Sequence, residues 1–378
     1  MDLANKTTRN SSLGNFTTDS FQCPAIGDEM TSKAIQTTAY CIVLLLSLVG
    51  NTLIILVVYR NPRMWSASNY LIVNMAASDL LLPFFAVPRM IVEVLVGRER
   101  WLIGGTAGLA LCKLAYFLQD VSTAVSVQSL LAITAERFYV VMFPLKATAM
   151  KSNIKYVIPL TWLTAVGLHS PYLQVFKLCP VQGKLYCCQR WSMSMQSQFM
   201  YFVFILILVF GVPLISIVIL YAFIVYKLFR RKLPPGTRNS ITQDQRDQRD
   251  RQNRNILKMA VTVVVTFFLC FSPLVTLALL QLTTASIGRC KTETFRMIAK
   301  FFAQSNCAIN AFIYYAFNSQ FRRGFISNLQ KMFCCHRRSN NNGLNINVRY
   351  STSSQRISLL SEKRTTRTCS MRRATSEE

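Results

Sequence analysis

Seven apolar stretches, at roughly 36–60, 69–95, 110–142, 154–176, 199–229, 256–284 and 295–317, run through this chain. Each is long enough for the ~20 residues with which a helix crosses hydrocarbon. Inside those stretches or at their ends stand Asn51, Asp79, Arg137, Pro213, Pro273 and Asn310. A carboxylate at mid-bilayer costs on the order of 2.5–3.5 kcal/mol, so Asp79 reads as a functional residue rather than as packing. The pattern predicts an all-α membrane protein, a bundle of seven transmembrane helices spanning 36–317.

Composition supports that class. The 378 residues are 52% hydrophobic and only 15% charged, which fits an integral membrane protein better than a soluble domain of this length. The net charge of +26 would otherwise point to nucleic acid, but its distribution excludes that partner. With loops assigned alternately from an outside N-terminus, 28 of the 42 Lys and Arg fall inside and 14 outside. The excess lies in the 226–258 loop and in the tail from Arg322, as the positive-inside rule requires. The N-terminus is therefore expected outside and the C-terminus inside, in the plasma membrane.

Both ends agree with that orientation. Residues 1–35 carry sequons at Asn5, Asn10 and Asn15, which are glycosylated only in the secretory lumen. No charged segment followed by a 7–15-residue apolar core precedes them, so the first span is expected to act as the insertion signal. Residues 318–335 read as a short amphipathic eighth helix ending in Cys334 and Cys335, candidate acylation sites. Residues 336–378 are polar and too poor in apolar side chains to pack, so a disordered cytoplasmic tail is expected.

Cysteines divide by compartment. Cys112 opens the third span on the outer side and Cys187 and Cys188 lie in the second outer loop, where oxidation is permitted. A bridge from Cys112 to one of that pair would pin the loop across the mouth of the bundle, and the spacing to Trp191 favours Cys187. A further bridge between Cys23 and Cys290 would tie the N-terminal segment to the third outer loop; the other reading leaves Cys23, Cys179 and Cys290 free or otherwise paired, because connectivity does not follow from sequence. Cys270 and Cys307 read as small buried hydrophobes.

From 36 to 335 the chain resembles the rhodopsin-like, class A, G-protein-coupled receptors, with one motif per span. The resemblance is carried by Gly50-Asn51, the run from Asn74 to Asp79, and Cys112 followed by Glu136-Arg137-Phe138. It continues through Trp162, Pro213 with Tyr221, Phe267 with Cys270-Phe271-Ser272-Pro273, and Asn310-Ala311-Phe312-Ile313-Tyr314, with Phe321 opening the eighth helix. It implies a mid-bundle cluster of Asn51, Asp79, Ser126, Asn306 and Asn310, able to hold an allosteric sodium ion; a plain interhelical hydrogen-bond network uses the same residues. It also implies a G-protein-coupling end formed by Glu136, Arg137, Phe138, Tyr221 and Tyr314, and a switch built on Pro213, Phe267, Phe271 and Pro273. No other cofactor is implied.

Departures from the family pattern matter. The latch motif reads Glu-Arg-Phe instead of the commoner Asp-Arg-Tyr, and Asn253 stands where many members have a carboxylate, so raised basal activity is expected. Phe271 replaces the usual Trp, and Ala311 replaces a proline whose absence restores a backbone donor to the seventh helix. Pro273 keeps a hinge in the sixth.

The ligand is argued from the outer half. Gln119 replaces the Asp of amine receptors and Gln304 the retinal-bearing Lys of opsins, which disfavours both classes. Gln119, Pro88, Trp101 and Trp191 together resemble neuropeptide receptors of the neuropeptide Y, RFamide and orexin-like group. By that register Arg89, Glu93, Gln119, Asp120, Arg296, Lys300 and Gln304 face inward, a rim suited to a peptide carrying both signs. An acidic small molecule or lipid held by Arg89 and Lys300, or a non-signalling scaffold receptor of the same fold, is the alternative. Heterotrimeric G protein, arrestin with receptor kinases, and anionic lipid on the basic inner segments are the expected partners. A transporter would show inverted repeats, which are missing here, and no hydrolase, phosphate-loop or metal-ligand motif supports an enzyme.

Overall fold

The computed structural model describes residues 29–143, 149–230, 258, 261–277, 279, 289–318 and 321–327. All of them fall in one compact unit that ends at Asn328. The sequons, Asn253, Cys23, Cys334, Cys335 and the tail lie outside the described residues.

Helix α1 covers Glu29–Arg60, α2 covers Ala67–Asp79 and α3 covers Val87–Val96. After the short strand β1 (Arg100–Trp101) come α4 (Gly105–Met142) and α5 (Ala149–His169), then one turn, α6 (Tyr172–Val175). Strands β2 (Phe176–Val181) and β3 (Lys184–Gln189) form a hairpin ahead of α7 (Met195–Leu206) and α8 (Val212–Arg230). Helix α9 covers Val261–Leu277 and α10 covers Arg289–Phe317; residues 321–327 form a last helical segment, α11.

Proline explains the interruptions. The joint between α2 and α3 is a π-type segment, Leu82–Ala86, and a second such segment, Ile207–Gly211, joins α7 to α8. Pro88 and Pro213 follow them closely. A proline has no N–H and its ring clashes with the carbonyl four residues back, so the backbone widens by one residue to relieve it. In α9, Pro273 leaves the Leu269 carbonyl without its helical donor, and the Ser272 hydroxyl donates to that oxygen at 3.5 Å. The fourth span is shorter than the expected 154–176: Ser170-Pro171 ends α5 at His169, and the chain turns into β2 from Phe176. The seventh begins earlier than expected, at Arg289.

Three of the rods, Met30–Arg60, Gly105–Met142 and Gln196–Lys227, are long and apolar enough by themselves to cross a membrane. The α2–α3 span is cut by its π segment, and α10 carries Arg296 and Lys300 in its first half, so neither meets that criterion despite belonging to the same bundle. Apolar side chains crowd the outside, with Leu45, Val218 and Leu269 each about 60% exposed, while Asn51, Asp79 and Asn310 are buried within. That is the inverse of a soluble protein and suits a lipid surround.

Two close approaches fix the packing of α1. A Cβ on Gly50 would lie 2.6 Å from the Cβ of Ala311 on α10, so the glycine allows the helices to touch. Gly324 of α11 is packed directly on Val57, with Phe321 and Phe325 buried beside it. Gly50→Ala is expected to cost about 1–3 kcal/mol by overpacking. Adding Ala311→Gly should restore part of the loss, measured as thermal unfolding of the purified protein in nanodiscs; a double variant less stable than Gly50→Ala would remove the contact as the cause.

Candidate functional site

At mid-bundle, Asp79 at the end of α2 receives Ser126 Oγ from α4 at 2.7 Å and Asn310 Nδ2 from α10 at 3.0 Å. Ser126 Oγ also lies 3.0 Å from Ser78 Oγ, and Ser122 donates to the Ser78 carbonyl at 2.8 Å. Asn51 takes a different part: its Nδ2 donates to the Ser47 carbonyl at 3.0 Å and to the Cys307 carbonyl at 3.2 Å, tying α1 to α10. The Oδ1 atoms of Asn306 and Asn310 are buried with no hydrogen-bond partner among the described residues. Asn74, one helical turn and a half before Asp79, binds three elements together. It donates to Ser129 at 2.9 Å and Thr161 at 3.2 Å and accepts Trp162 Nε1 at 2.8 Å.

Toward the Arg137 end, Glu136 and Arg137 are adjacent and paired, Nε to Oε2 at 3.2 Å. Ser68 of α2 completes the latch by donating to Glu136 Oε2 at 2.6 Å and accepting Arg137 Nη2. Sequence reading did not name Ser68; it opens α2 just after the Ser66 cap, and no motif marks it. The Tyr221 hydroxyl accepts from Thr134 at 3.5 Å, and Tyr314 Oη donates to Met75 Sδ at 3.2 Å. Phe138 meets Phe223 edge-on at 6.2 Å. The two tyrosines thus lie on separate partners, with the latch closed between α2 and α4.

Above the polar network, Phe267 and Phe271 stack at 4.4 Å, and Phe210 from the second π segment leans on both, at 5.9 Å and 5.4 Å. Pro213 lies three residues beyond Phe210, and Pro273 two residues beyond Phe271. Phe210 and Phe271 form the floor of a cavity of about 340 Å³, whose wall includes Leu274 and Val275.

At the hairpin end, Glu93 is surrounded by three cations. Arg296 Nη1 reaches Oε1 at 2.8 Å, Lys300 Nζ reaches both oxygens at 3.1 Å, and Arg89 Nη1 reaches Oε2 at 3.4 Å. Arg89 also donates to Gln119 Oε1 at 2.8 Å, and its guanidinium lies 4.2 Å from the centre of the Tyr116 ring. Gln304 Nε2 approaches the same Gln119 oxygen at 3.5 Å. Six of the seven expected rim residues therefore form one connected network, most of it buried instead of solvated. Asp120 joins them only through Gln119 Nε2, from which it accepts at 3.4 Å, and it faces into the cavity with His169 and Tyr172, two residues given no part in the sequence reading.

The hairpin lies across this end. Cys112 is bridged to Cys187, and Cys179 to Cys188 within the hairpin. The second bridge had been left open. Gln182 and Gly183, both at positive φ, make the two-residue turn between β2 and β3, and β1 adds to the β3 edge. Cys290's side chain lies outside what is described.

The bundle, its buried polar axis and its strapped upper cavity are those of a seven-helix membrane receptor. Residues 50–314 match the 7 transmembrane receptor (rhodopsin family) profile, and the chain belongs to that family, the class A G-protein-coupled receptors, multi-pass membrane proteins that are receptors and not enzymes. It is similar to a QRFP-like peptide receptor of Branchiostoma floridae, 29% identical over 79% of this chain and 78% of that one. It is likewise similar to the RYamide receptor of Drosophila melanogaster, 30% identical over 85% and 70%. Neuropeptide FF receptor 2 of Mus musculus matches at 28% over 77% and 72%.

Proposed function

We propose that this receptor binds an extracellular neuropeptide at the hairpin end and activates heterotrimeric G proteins at the Arg137 end. The observation that carries the reading is the connected network of Arg89, Glu93, Gln119, Arg296, Lys300 and Gln304 beside an apolar cavity. Buried charges of both signs need partners of both signs, and a peptide end supplies them along with apolar side chains for the cavity. The similar proteins named for RYamide, QRFP-like peptide and neuropeptide FF support the same ligand class. A second reading, an acidic small molecule or lipid, is favoured by one fact: three cations in the network face a single carboxylate.

In this reading the N-terminus with Asn5, Asn10 and Asn15 is extracellular and glycosylated, the protein resides in the plasma membrane, and Cys334 and Cys335 are acylated. Outward movement of α9 about Pro273, with rearrangement of Phe267, Phe271 and the Pro213 region, opens a cleft beside Arg137. Arg137 then leaves Glu136 and Ser68, and Tyr221 and Tyr314 close on it. Arrestin and receptor kinases act on the Ser- and Thr-rich tail, and anionic lipid holds its basic stretches. Asp79 with Ser126, Asn310 and the unpartnered Asn306 and Asn310 oxygens has the hard oxygen donors a sodium ion takes; a bound ion would supply positive charge beside Asp79 and hold the closed state.

The test is second-messenger output in transfected cells given a neuropeptide library that includes amidated peptides. A peptide-evoked signal is expected, falling to the mock-transfected level in Arg137→Ala at equal surface expression. No response to any peptide, with a response to acidic lipids, would transfer the reading to the second ligand class; basal output equal to mock with no ligand active would leave a non-signalling relative.

A further inference from the structure

The cavity has an acceptor-rich side on which the peptide reading gives no role to His169, to Asp120 or to the Oε1 atom of Gln304. His169, the last residue of α5, is only 3% exposed, yet neither of its ring nitrogens has a hydrogen-bond partner among the described residues. Gln304 Oε1 is buried in the same condition. Both residues line the cavity, and Asp120 lines it with them. Buried polar atoms are normally paired, so orphans grouped on one wall of a cavity point to a ligand that completes them.

The three groups share one chemical bias. The Asp120 carboxylate only accepts, the Gln304 carbonyl oxygen only accepts, and a neutral imidazole offers one acceptor nitrogen. Apart from Gln119 and Thr123, the rest of the cavity is lined by apolar and aromatic side chains, among them Tyr172, Phe202, Phe210 and Phe271. On the far side of Gln119 the polarity reverses, because Arg89, Arg296 and Lys300 there outnumber Glu93.

We infer that the cavity receives a donor-rich cationic group, an amidinium, guanidinium or ammonium carried on an apolar body, held by Asp120, His169 and Gln304. Asp120 takes the charge, while His169 and Gln304 Oε1 accept remaining N–H donors. Any acidic group of the same ligand lies toward Arg89, Arg296 and Lys300, so the two poles set the ligand's direction. The inference rests on the reading of this cavity as the ligand site, and names the chemistry it selects.

Full-length receptor in lipid nanodiscs is titrated with benzamidine, with benzamide as its neutral counterpart of nearly the same shape, and with benzoate, following ligand signals by saturation-transfer NMR. Benzamidine is expected to bind about tenfold more tightly than benzamide, as a charge-assisted pair does over a neutral one, and benzoate not to compete with it. Asp120→Asn should remove the preference. His169→Phe, which keeps an aromatic ring against Tyr172, should weaken benzamidine about tenfold and leave benzamide unchanged. Equal binding of benzamidine and benzamide to the unmodified receptor overturns the inference, as does a preference that survives Asp120→Asn. The comparison of probes on the unmodified receptor stands even if a variant does not fold. Selective benzamidine binding in a receptor that answers no peptide keeps the inference and removes the peptide reading; peptide signalling without benzamidine selectivity does the reverse.

Discussion

Glu93→Ala is expected to destabilise the receptor by about 3–5 kcal/mol, the range for removing one partner of a buried ion pair. Glu93 is 5% exposed and contacts Arg89, Arg296 and Lys300 at 2.8–3.4 Å. Without its carboxylate, three cations on α3 and α10 would face one another with little water to screen them. Attraction that now draws α10 onto α3 becomes repulsion between the same helices. Glu93→Gln should be intermediate, because the amide oxygen still accepts one donor but carries no charge. Glu93→Ala with Lys300→Met should recover part of the loss, since one of the uncompensated charges is gone. The thermal midpoint of purified receptor in nanodiscs, with surface expression beside it, reads the series. An unchanged midpoint in Glu93→Ala would mean that water or lipid already neutralises the cluster.

Cys112→Ser should have the second-largest effect, and a larger one than Cys188→Ser. The Cys112–Cys187 bridge joins residues 75 apart, whereas Cys179 and Cys188 are 9 apart. Loop-closure entropy alone gives about 4.5 kcal/mol for the first and about 2.5 for the second. Both figures are upper bounds here, because helices that stay inserted restrict the unfolded chain and the paired strands already hold the shorter loop. The ordering should survive. Cys112→Ser releases the hairpin from α4, where buried Cys187 packs with Phe176 and Phe117, so ligand affinity should fall with stability. For Cys188→Ser, β2 and β3 keep their six-pair register, and affinity should change little. Unfolding midpoints and radioligand or fluorescent-peptide saturation on the two variants decide it; equal losses would show that the hairpin depends on both bridges.

Much of the site could be read in the sequence wherever chemistry disagrees with surroundings. Asp79 and Arg137 are conspicuous because charge in hydrocarbon needs a reason. Arg89, Glu93, Arg296 and Lys300 could be assigned to the inner face by register, but not their joint burial around one carboxylate, because residues some 200 positions apart meet only after α3 and α10 pack. His169 escaped notice for a related cause: a lone histidine near a helix end is usually satisfied, and only its unpaired burial in the cavity sets it apart. Ser68 was invisible, since a serine near a helix start has an ordinary capping explanation. The β hairpin lies within what the sequence shows only as the second outer loop, although Gln182-Gly183 is the pair that makes its two-residue turn.

Periodicity and length determined, without any tertiary information, that this chain has seven apolar spans and which of them carry charge. Those are local properties, set by backbone sterics and by the thickness of the bilayer. Packing decided what the charges do. Glycine at position 50 lets α1 touch α10, Asn310 comes to Asp79, and Glu93 gathers three cations, because each of these pairings depends on helix rotation and depth that no local pattern encodes. The spans of the receptor were legible in one dimension; the poles of its cavity exist only in three, where Gln119 separates the Asp120 wall from a basic one.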